Sequence, residues 1–225
     1  MSASTATLVL FCKPPHRSKR RLAPVLGEQA TAELARHLLG CALEDAAAWP
    51  GPVVLSPAHE DDTGWAERLP LPSARVLPQV PGNLGARLND IDLRLRDEGH
   101  DRLLFIGADC PQLDTGALLT AADALAVTDV VLGRADDGGV VFMGNAVSWP
   151  ELADLPWSSG SLGVALAGAC ERAGLRVGWH GGWPDVDRVD EVVALAADLA
   201  SDRRPARRRL RAWLEDREWS TTENS

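Results

Sequence analysis

Short apolar runs alternate along this chain with longer stretches whose apolar residues recur every three or four positions. That alternation predicts strands separated by helices. TLVLFC (7–12) reads as a buried first strand, and a polar loop leads from it into a helix over about 28–48. GPVVLS (51–56) and ARVLPQ (74–79) read as the second and third strands. In LGARLNDIDLRLRDEG, Leu84, Leu88, Ile91 and Leu95 fall at helical spacing, and Gly99 is placed to end that helix. RLLFIG (102–107) is the next strand, followed by a helix over 115–126. DVVLGRA and GVVFMG are two further strands on either side of Asp136-Asp137-Gly138-Gly139. A helix over about 161–173, a strand LRVGW and a helix over 189–200 complete the regular pattern.

Strands separated by helices favour a mainly parallel sheet with helices on both faces. The closely spaced pair around DDGG reads instead as a local antiparallel hairpin, so the expected architecture is a single α/β domain with a mixed sheet. From Ser201 the character changes. RRPARRRLRAWLEDREW predicts a short amphipathic helix with Leu210, Trp213 and Leu214 on one side. It reads as a solvated terminal helix packing its tryptophan, with contact to phosphate or an anionic partner as the alternative use of its arginines. The last few residues are expected to be disordered. The chain thus divides into residues 1–200 and an arginine-rich tail, 201–225.

A length of 225 residues suits one α/β domain with a substantial core, and 45% hydrophobic with 24% charged residues is ordinary globular composition. The net charge of −9 argues against binding DNA or RNA, which calls for a basic surface, but leaves room for a small phosphorylated ligand held by local cations. Cys12, Cys41, Cys110 and Cys170 lie far apart with no C-x-x-C pair, which argues against structural zinc. Nothing at the N-terminus resembles a signal peptide, and no apolar run reaches membrane-spanning length. A cytoplasmic protein with reduced thiols and no membrane association is expected, with a homodimer left open as its assembly.

Candidate chemistry gathers in a few places. The loop CKPPHRSKRRLAP carries Lys13, Arg17, Lys19, Arg20 and Arg21 directly after the first strand. At the carboxyl end of a parallel strand such cations are placed to hold a di- or triphosphate, and the alternative is a basic surface loop. Asp109 ends the strand RLLFIG. Asp favours helix caps and turns, but Asp114 directly precedes the next helix and is the better cap, leaving Asp109 free for a hard cation. Magnesium prefers a few carboxylate oxygens together with phosphate and water, so a second carboxylate is needed nearby. WPDVDRVDEV supplies Asp185 and Asp187, which point the same way in extended chain while Val186 turns to the core; Asp190 is placed to cap the final helix. Asp137 with Gly138 and Gly139 reads equally as a hairpin turn and as a close backbone approach to a ligand. Gly82 and Gly85 sit before a helix whose amide end suits a phosphate or a base, with Arg87 in its first turn. Trp157 reads as core or, beside Ser158, Ser159 and Ser161, as the wall of an acceptor pocket. The five histidines have no metal-ligand spacing.

In order, the Lys13–Pro24 loop, PGNLGARL, GADCPQL, DDGGVVFMG, PWSS and DVDRVDEV resemble the bacterial DUF2064 family, a group of glycosyltransferase-A-like proteins related to sugar-nucleotide and molybdenum-cofactor nucleotidyltransferases. The resemblance runs to about residue 200. It implies a Rossmann-like nucleotide-binding domain of glycosyltransferase-A type, using Mg2+ or Mn2+. It implies that Lys13, Lys19 and Arg21 form the phosphate-binding loop and that Asp109 and Asp187 bind the metal. Gly82 and Gly85 then belong to the nucleotide-contacting turn, and Asp137–Gly139 to the substrate-facing loop. Two features depart from the family pattern. The loop lacks the usual glycine and is spaced more like that of phospholactate guanylyltransferases, and Val140 stands where an aromatic commonly follows Asp-Gly-Gly.

Three functions fit these residues. In a glycosyltransferase, a metal on Asp109 and Asp187 neutralises a departing diphosphate, Lys13 and Arg21 add fixed charge, and Asp137 or a serine near Trp157 faces a small acceptor. In a nucleotidyltransferase, the same groups hold a nucleoside triphosphate while a phosphate or carboxylate attacks it and pyrophosphate leaves. The third is a binding protein that keeps the fold without turnover. The glycosyltransferase is the leading expectation.

Overall fold

Seven strands make one sheet in the computed structural model, which describes residues 6–184 and 186–217. They are β1 (Thr7–Cys12), β2 (Val53–Pro57), β3 (Arg75–Val76), β4 (Leu103–Ile106), β5 (Val130–Ala135), β6 (Val140–Asn145) and β7 (Val177–Trp183), in the order β3-β2-β1-β4-β6-β5-β7. The helices are α1 (Ala23–Leu26), α2 (Glu28–Ala47), α3 (Thr63–Ala66), α4 (Leu84–Asp97), α5 (Thr115–Ala124), α6 (Leu162–Arg172), α7 (Val189–Asp198) and α8 (Pro205–Glu215). β6 runs antiparallel to both β4 and β5, and the other neighbouring pairs are parallel. The mixed, mainly parallel sheet is therefore as the sequence pattern predicts, including the hairpin at DDGG.

Alternation of side chains across the pleat sends each strand's apolar residues to two cores. Leu8, Leu10, Leu104, Ile106 and Val131 meet α2 and α5 on one face. Val9, Leu103, Phe105, Leu132 and Met143 meet α4 and α6 on the other. A third cluster lies outside the sheet, where Leu34 and Leu38 of α2 pack against Val192 and Leu195 of α7 and against Leu210 and Leu214 of α8. Among the described residues no helix is long and apolar enough to cross a membrane.

Two strand lengths differ from the sequence reading. The third strand shrinks to Arg75–Val76, because only those two residues pair with β2. The seventh extends to Trp183 and pairs with β5 as far as Ala135 across a register shift. It lies at the sheet edge, where Gly181 and Gly182 are exposed, so half of it lacks the apolar signature of a buried strand.

Helix starts follow local chemistry. Asp114 accepts a hydrogen bond from the Ala117 N–H at 2.7 Å and caps α5, as expected. Asn83 does the same for α4 from Ala86 at 3.0 Å. At α7 the cap is Glu191 rather than Asp190. Its carboxylate accepts from the backbone N–H groups of Asp187 (2.7 Å) and Arg188 (2.6 Å), while Asp190 pairs with the Arg188 side chain.

The tail helix α8 is docked through a buried arginine. Arg207 is 0% exposed. It pairs with Glu44 at 3.0 Å and with Asp45, and donates to the backbone carbonyls of Cys41, Pro111 and Leu113. Arg204 adds bonds to Asp45 and to the same Leu113 carbonyl, each at 3.0 Å. The arginines of α8 thus reach the loop that follows Asp109. Residues 218–225, where the sequence suggested disorder, lie outside the described residues.

Candidate active site

The loops after β1 and β4 leave the carboxyl ends of adjacent parallel strands, the place where open α/β sheets bind ligands. Lys13 follows β1 and Asp109 follows β4, and both line a cavity of about 690 Å3. Gly82, Asn83 and Arg87 close one side of it, while Trp157 and Ser158 lie on another. Phe11 and Phe105 also line it, packed edge to face with ring centroids 5.9 Å apart. The volume falls within the range of small-molecule sites, and the lining combines apolar walls with a few polar groups.

Asp187 comes to this place through the backbone. The Val186 N–H donates to the Asp109 carbonyl at 2.9 Å, and the Val186 side chain is buried, so the next residue is anchored beside Asp109. Both carboxylates then converge on one positive charge. The Lys19 ammonium lies 2.7 Å from Asp109 Oδ1 and 2.7 Å from Asp187 Oδ1, and it also donates to the Val186 carbonyl. The Lys19 side chain is 5% exposed, against 57% for Asp109 and 48% for Asp187. Burial opposes the charge on Lys19, but the attraction of Asp109 and Asp187 outweighs it and holds the ammonium above the ordinary lysine range.

The ammonium marks a position where the two carboxylates together stabilise a positive charge. Hard carboxylate oxygens converging on one point suit Mg2+ or Mn2+, which would complete its shell with water and phosphate oxygens. Among the described residues no group of three or more His, Cys, Asp and Glu side chains is arranged to hold a metal, and Asp185 lies outside the described residues.

Residues 41–159 match the family described as an uncharacterized protein conserved in bacteria, DUF2064. The chain is a member of DUF2064. No curated protein matches it. Among solved structures, this DUF2064 protein is similar to a candidate nucleotide-diphospho-sugar transferase from Desulfovibrio desulfuricans G20, with TM-score 0.84 and 23% identity over 94% of this chain and 97% of the other. It is also similar to a homologue, from Mycobacterium sp. strain JC1, of the Mycobacterium tuberculosis protein Rv0371c (TM-score 0.55, 18% identity, 87% and 97% covered). A third is the 4-diphosphocytidyl-2C-methyl-D-erythritol synthase of Anaerococcus prevotii DSM 20548 (TM-score 0.56, 10% identity, 94% and 96% covered). These likenesses establish a shared nucleotide-diphospho-sugar-transferase-like fold.

The structure brings some of the sequence candidates together and separates others. Lys13, Lys19, Asp109 and Asp187 share one neighbourhood, and Gly82 and Arg87 border the same cavity. Arg87 is steered by its own turn, donating to the Gly82 carbonyl at 2.9 Å and to Gln79 at 3.3 Å. Gly85 lies under the cavity wall and does not line it. A Cβ there would stand 2.1 Å from the Leu152 carbonyl oxygen and 2.6 Å from Trp157 Nε1, so this glycine permits α4 to pack against the Trp157 segment. Arg21 is exposed and does not line the cavity.

Asp137, Gly138 and Gly139 also stand off the cavity lining. Asp137 accepts from the Gly139 N–H at 2.8 Å, and Gly138 has a φ of 91°, where a Cβ would stand 2.0 Å from the Gly160 carbonyl oxygen. The close backbone approach anticipated for these glycines is thus made to the start of α6, where the Gly163 N–H donates to the Gly138 carbonyl at 3.0 Å.

Gln79, Asn83, Phe11 and Phe105 line the cavity without a local signal in the sequence. Backbone strain likewise has none. Among the described residues, the non-glycine positions with positive φ are Lys19 (52°) and Ser158 (66°), both at this site. Such conformations are disfavoured for side-chain-bearing residues and concentrate where function dictates geometry. Cys12, at the cavity wall, is not poised as a nucleophile: burial first, and then the nearby Asp62 charge, push its thiol up to about 12.

Proposed function

We propose that this protein is a nucleotide-sugar-dependent transferase in which Asp109 and Asp187 share a Mg2+ or Mn2+ ion with the donor's diphosphate. The observation that carries this reading is the convergence of the two carboxylates on one cation position at the mouth of the sheet. When bound, the ion would offset the negative charge that develops on the departing diphosphate. Lys13, exposed at the same cavity, adds a mobile positive charge, and Arg21 in the same loop extends that field to the rim. Gly82 and Arg87 border the space for the nucleoside, with Arg87 held in place by its bonds to Gly82 and Gln79. Trp157 and Ser158 face the acceptor, and Asp137 serves the hairpin turn behind them. The likeness to a candidate nucleotide-diphospho-sugar transferase supports the choice of donor.

Nucleotidyl transfer from a nucleoside triphosphate, with pyrophosphate as product, is the second reading. It is favoured by the exposed Arg20 and Arg21 in the Lys13 loop and by the likeness to a 4-diphosphocytidyl-2C-methyl-D-erythritol synthase.

The test is a thermal-shift screen of nucleotide sugars and nucleoside triphosphates with and without Mg2+ or Mn2+, followed by product analysis. A ligand at about 100 times its Kd adds roughly 2.7 kcal/mol of stability. Metal-dependent stabilisation by a nucleotide sugar, with release of a nucleoside diphosphate (or a monophosphate from a CMP-sugar donor), is expected. Asp109→Asn should lose the metal-dependent part while leaving the ligand-free Tm largely intact, because Asp187 and the Val186 carbonyl still hold the Lys19 ammonium. Stabilisation by bare triphosphates with pyrophosphate release selects the second reading. A large fall in Tm with unchanged nucleotide affinity would make Asp109 structural.

A further inference from the structure

The chain contains two lysines, Lys13 and Lys19, against 21 arginines, and both lie in the loop after β1. Elsewhere this protein uses arginine wherever it needs a cation, as at Arg96, Arg176, Arg204 and Arg207. At Lys19 the requirement is different. The space between Asp109 and Asp187 accepts a compact charge at 2.7 Å from each, and a planar guanidinium is the wrong shape for it. All three ammonium protons are used, on Asp109, Asp187 and the Val186 carbonyl. The backbone at Lys19 holds a φ of 52°, a conformation a side-chain-bearing residue keeps only when its surroundings impose it.

We propose that Lys19 is the resident cation of this site: its ammonium holds Asp109 and Asp187 together when no divalent ion is bound, and is displaced when one binds. The inference rests on the reading above that these carboxylates take Mg2+ or Mn2+, and it adds the residue that competes with the metal. Two carboxylates this close repel unless a cation lies between them, and the ammonium fills that need in the metal-free protein. A divalent ion held by the same two carboxylate oxygens would lie too near the ammonium for both to stay. Displaced, Lys19 joins Lys13, Arg20 and Arg21 on the cationic loop, so the ion's arrival would add a positive charge for the donor's phosphates. Metal and phosphate binding would then reinforce each other.

The alternative is a fixed strut, in which Lys19 stays in place and the metal uses the outer oxygens of both carboxylates. Two measurements on the full chain separate these. The first is amine acetylation read by mass spectrometry, with exposed Lys13 as the internal reference. Without metal, Lys19 should be protected relative to Lys13; with saturating Mn2+, its reactivity should rise several-fold. The second is Mn2+ binding followed by electron paramagnetic resonance of the free ion, where Lys19→Met should bind about tenfold tighter than wild type. The labelling result uses wild-type protein, so it stands even if that variant folds poorly. Lys19 remaining protected at saturating Mn2+, with no gain in affinity for Lys19→Met, overturns the proposal. If Asp109→Asn then abolishes Mn2+ binding, the metal site survives and only the displacement falls. If neither wild type nor Lys19→Met binds Mn2+, the metal reading falls and takes this inference with it.

Discussion

Lys19 and Asp187 are 168 positions apart in the chain and 2.7 Å apart in space, so the contact that organises the site has no local signature. The aspartates were legible one at a time, because a carboxylate at the end of an apolar strand and an alternating Asp pair each call for explanation. That one ammonium would join them was not legible, since a basic loop reads the same whether its cations face solvent or a carboxylate pair. Gly85 shows a similar limit. A glycine at a helix start suggests an approaching ligand, yet the approaching groups are the Leu152 carbonyl and the Trp157 indole. Gly85→Ala should therefore destabilise the fold by about 1–3 kcal/mol through overpacking. Denaturant unfolding measures this, and an unchanged midpoint would show that α4 can shift to make room.

Elements were legible where one face is apolar and obscure at the sheet edge. β7 illustrates the difference: its outer half carries exposed glycines and is recognised as strand only by its pairing with β5. The start of that pairing is pinned by Asp129, which accepts from Arg176 Nε at 2.9 Å, Arg176 Nη2 at 2.9 Å and the Arg176 N–H at 2.8 Å. Hydrogen bonds from the Arg176 side chain and backbone hold the Asp129 carboxyl down to about 2. A carboxyl lowered on folding stabilises the native state above its unfolded pKa of about 4, and that contribution disappears as pH falls through the folded value. The Tm difference between wild type and Asp129→Asn should accordingly be constant from pH 5 to 7 and shrink between about pH 4 and pH 2. A difference that persists unchanged at pH 2 would mean that the pair does not act through its charge.

Across the whole molecule, the tail helix α8 is fastened to the loop behind the site. Arg207 is buried with Glu44 and Asp45 and grips the carbonyls of Pro111 and Leu113, a few residues beyond Asp109. Removing one partner of a buried pair strands the other charge, typically at a cost of about 3–5 kcal/mol. Arg207→Met should lower unfolding stability by that amount in chemical denaturation, and a loss below about 1 kcal/mol would show that water readily replaces the arginine. In the sequence Arg207 is one of a run of arginines; its helical spacing from Leu210 and Leu214 puts it on their face and its exposed neighbour Arg208 off it, but the carboxylates that receive it lie 162 and 163 positions away. The sequence alone determined the alternation of strands and helices, the mixed sheet with its hairpin, and the strand-end position of Lys13 and Asp109, because hydrophobic period and turn chemistry act over a few residues. Tertiary structure alone decided which cation meets Asp109 and Asp187, which glycines serve packing, and which carboxylates and carbonyls receive Arg207, because each depends on surfaces that only chain-distant elements bring together.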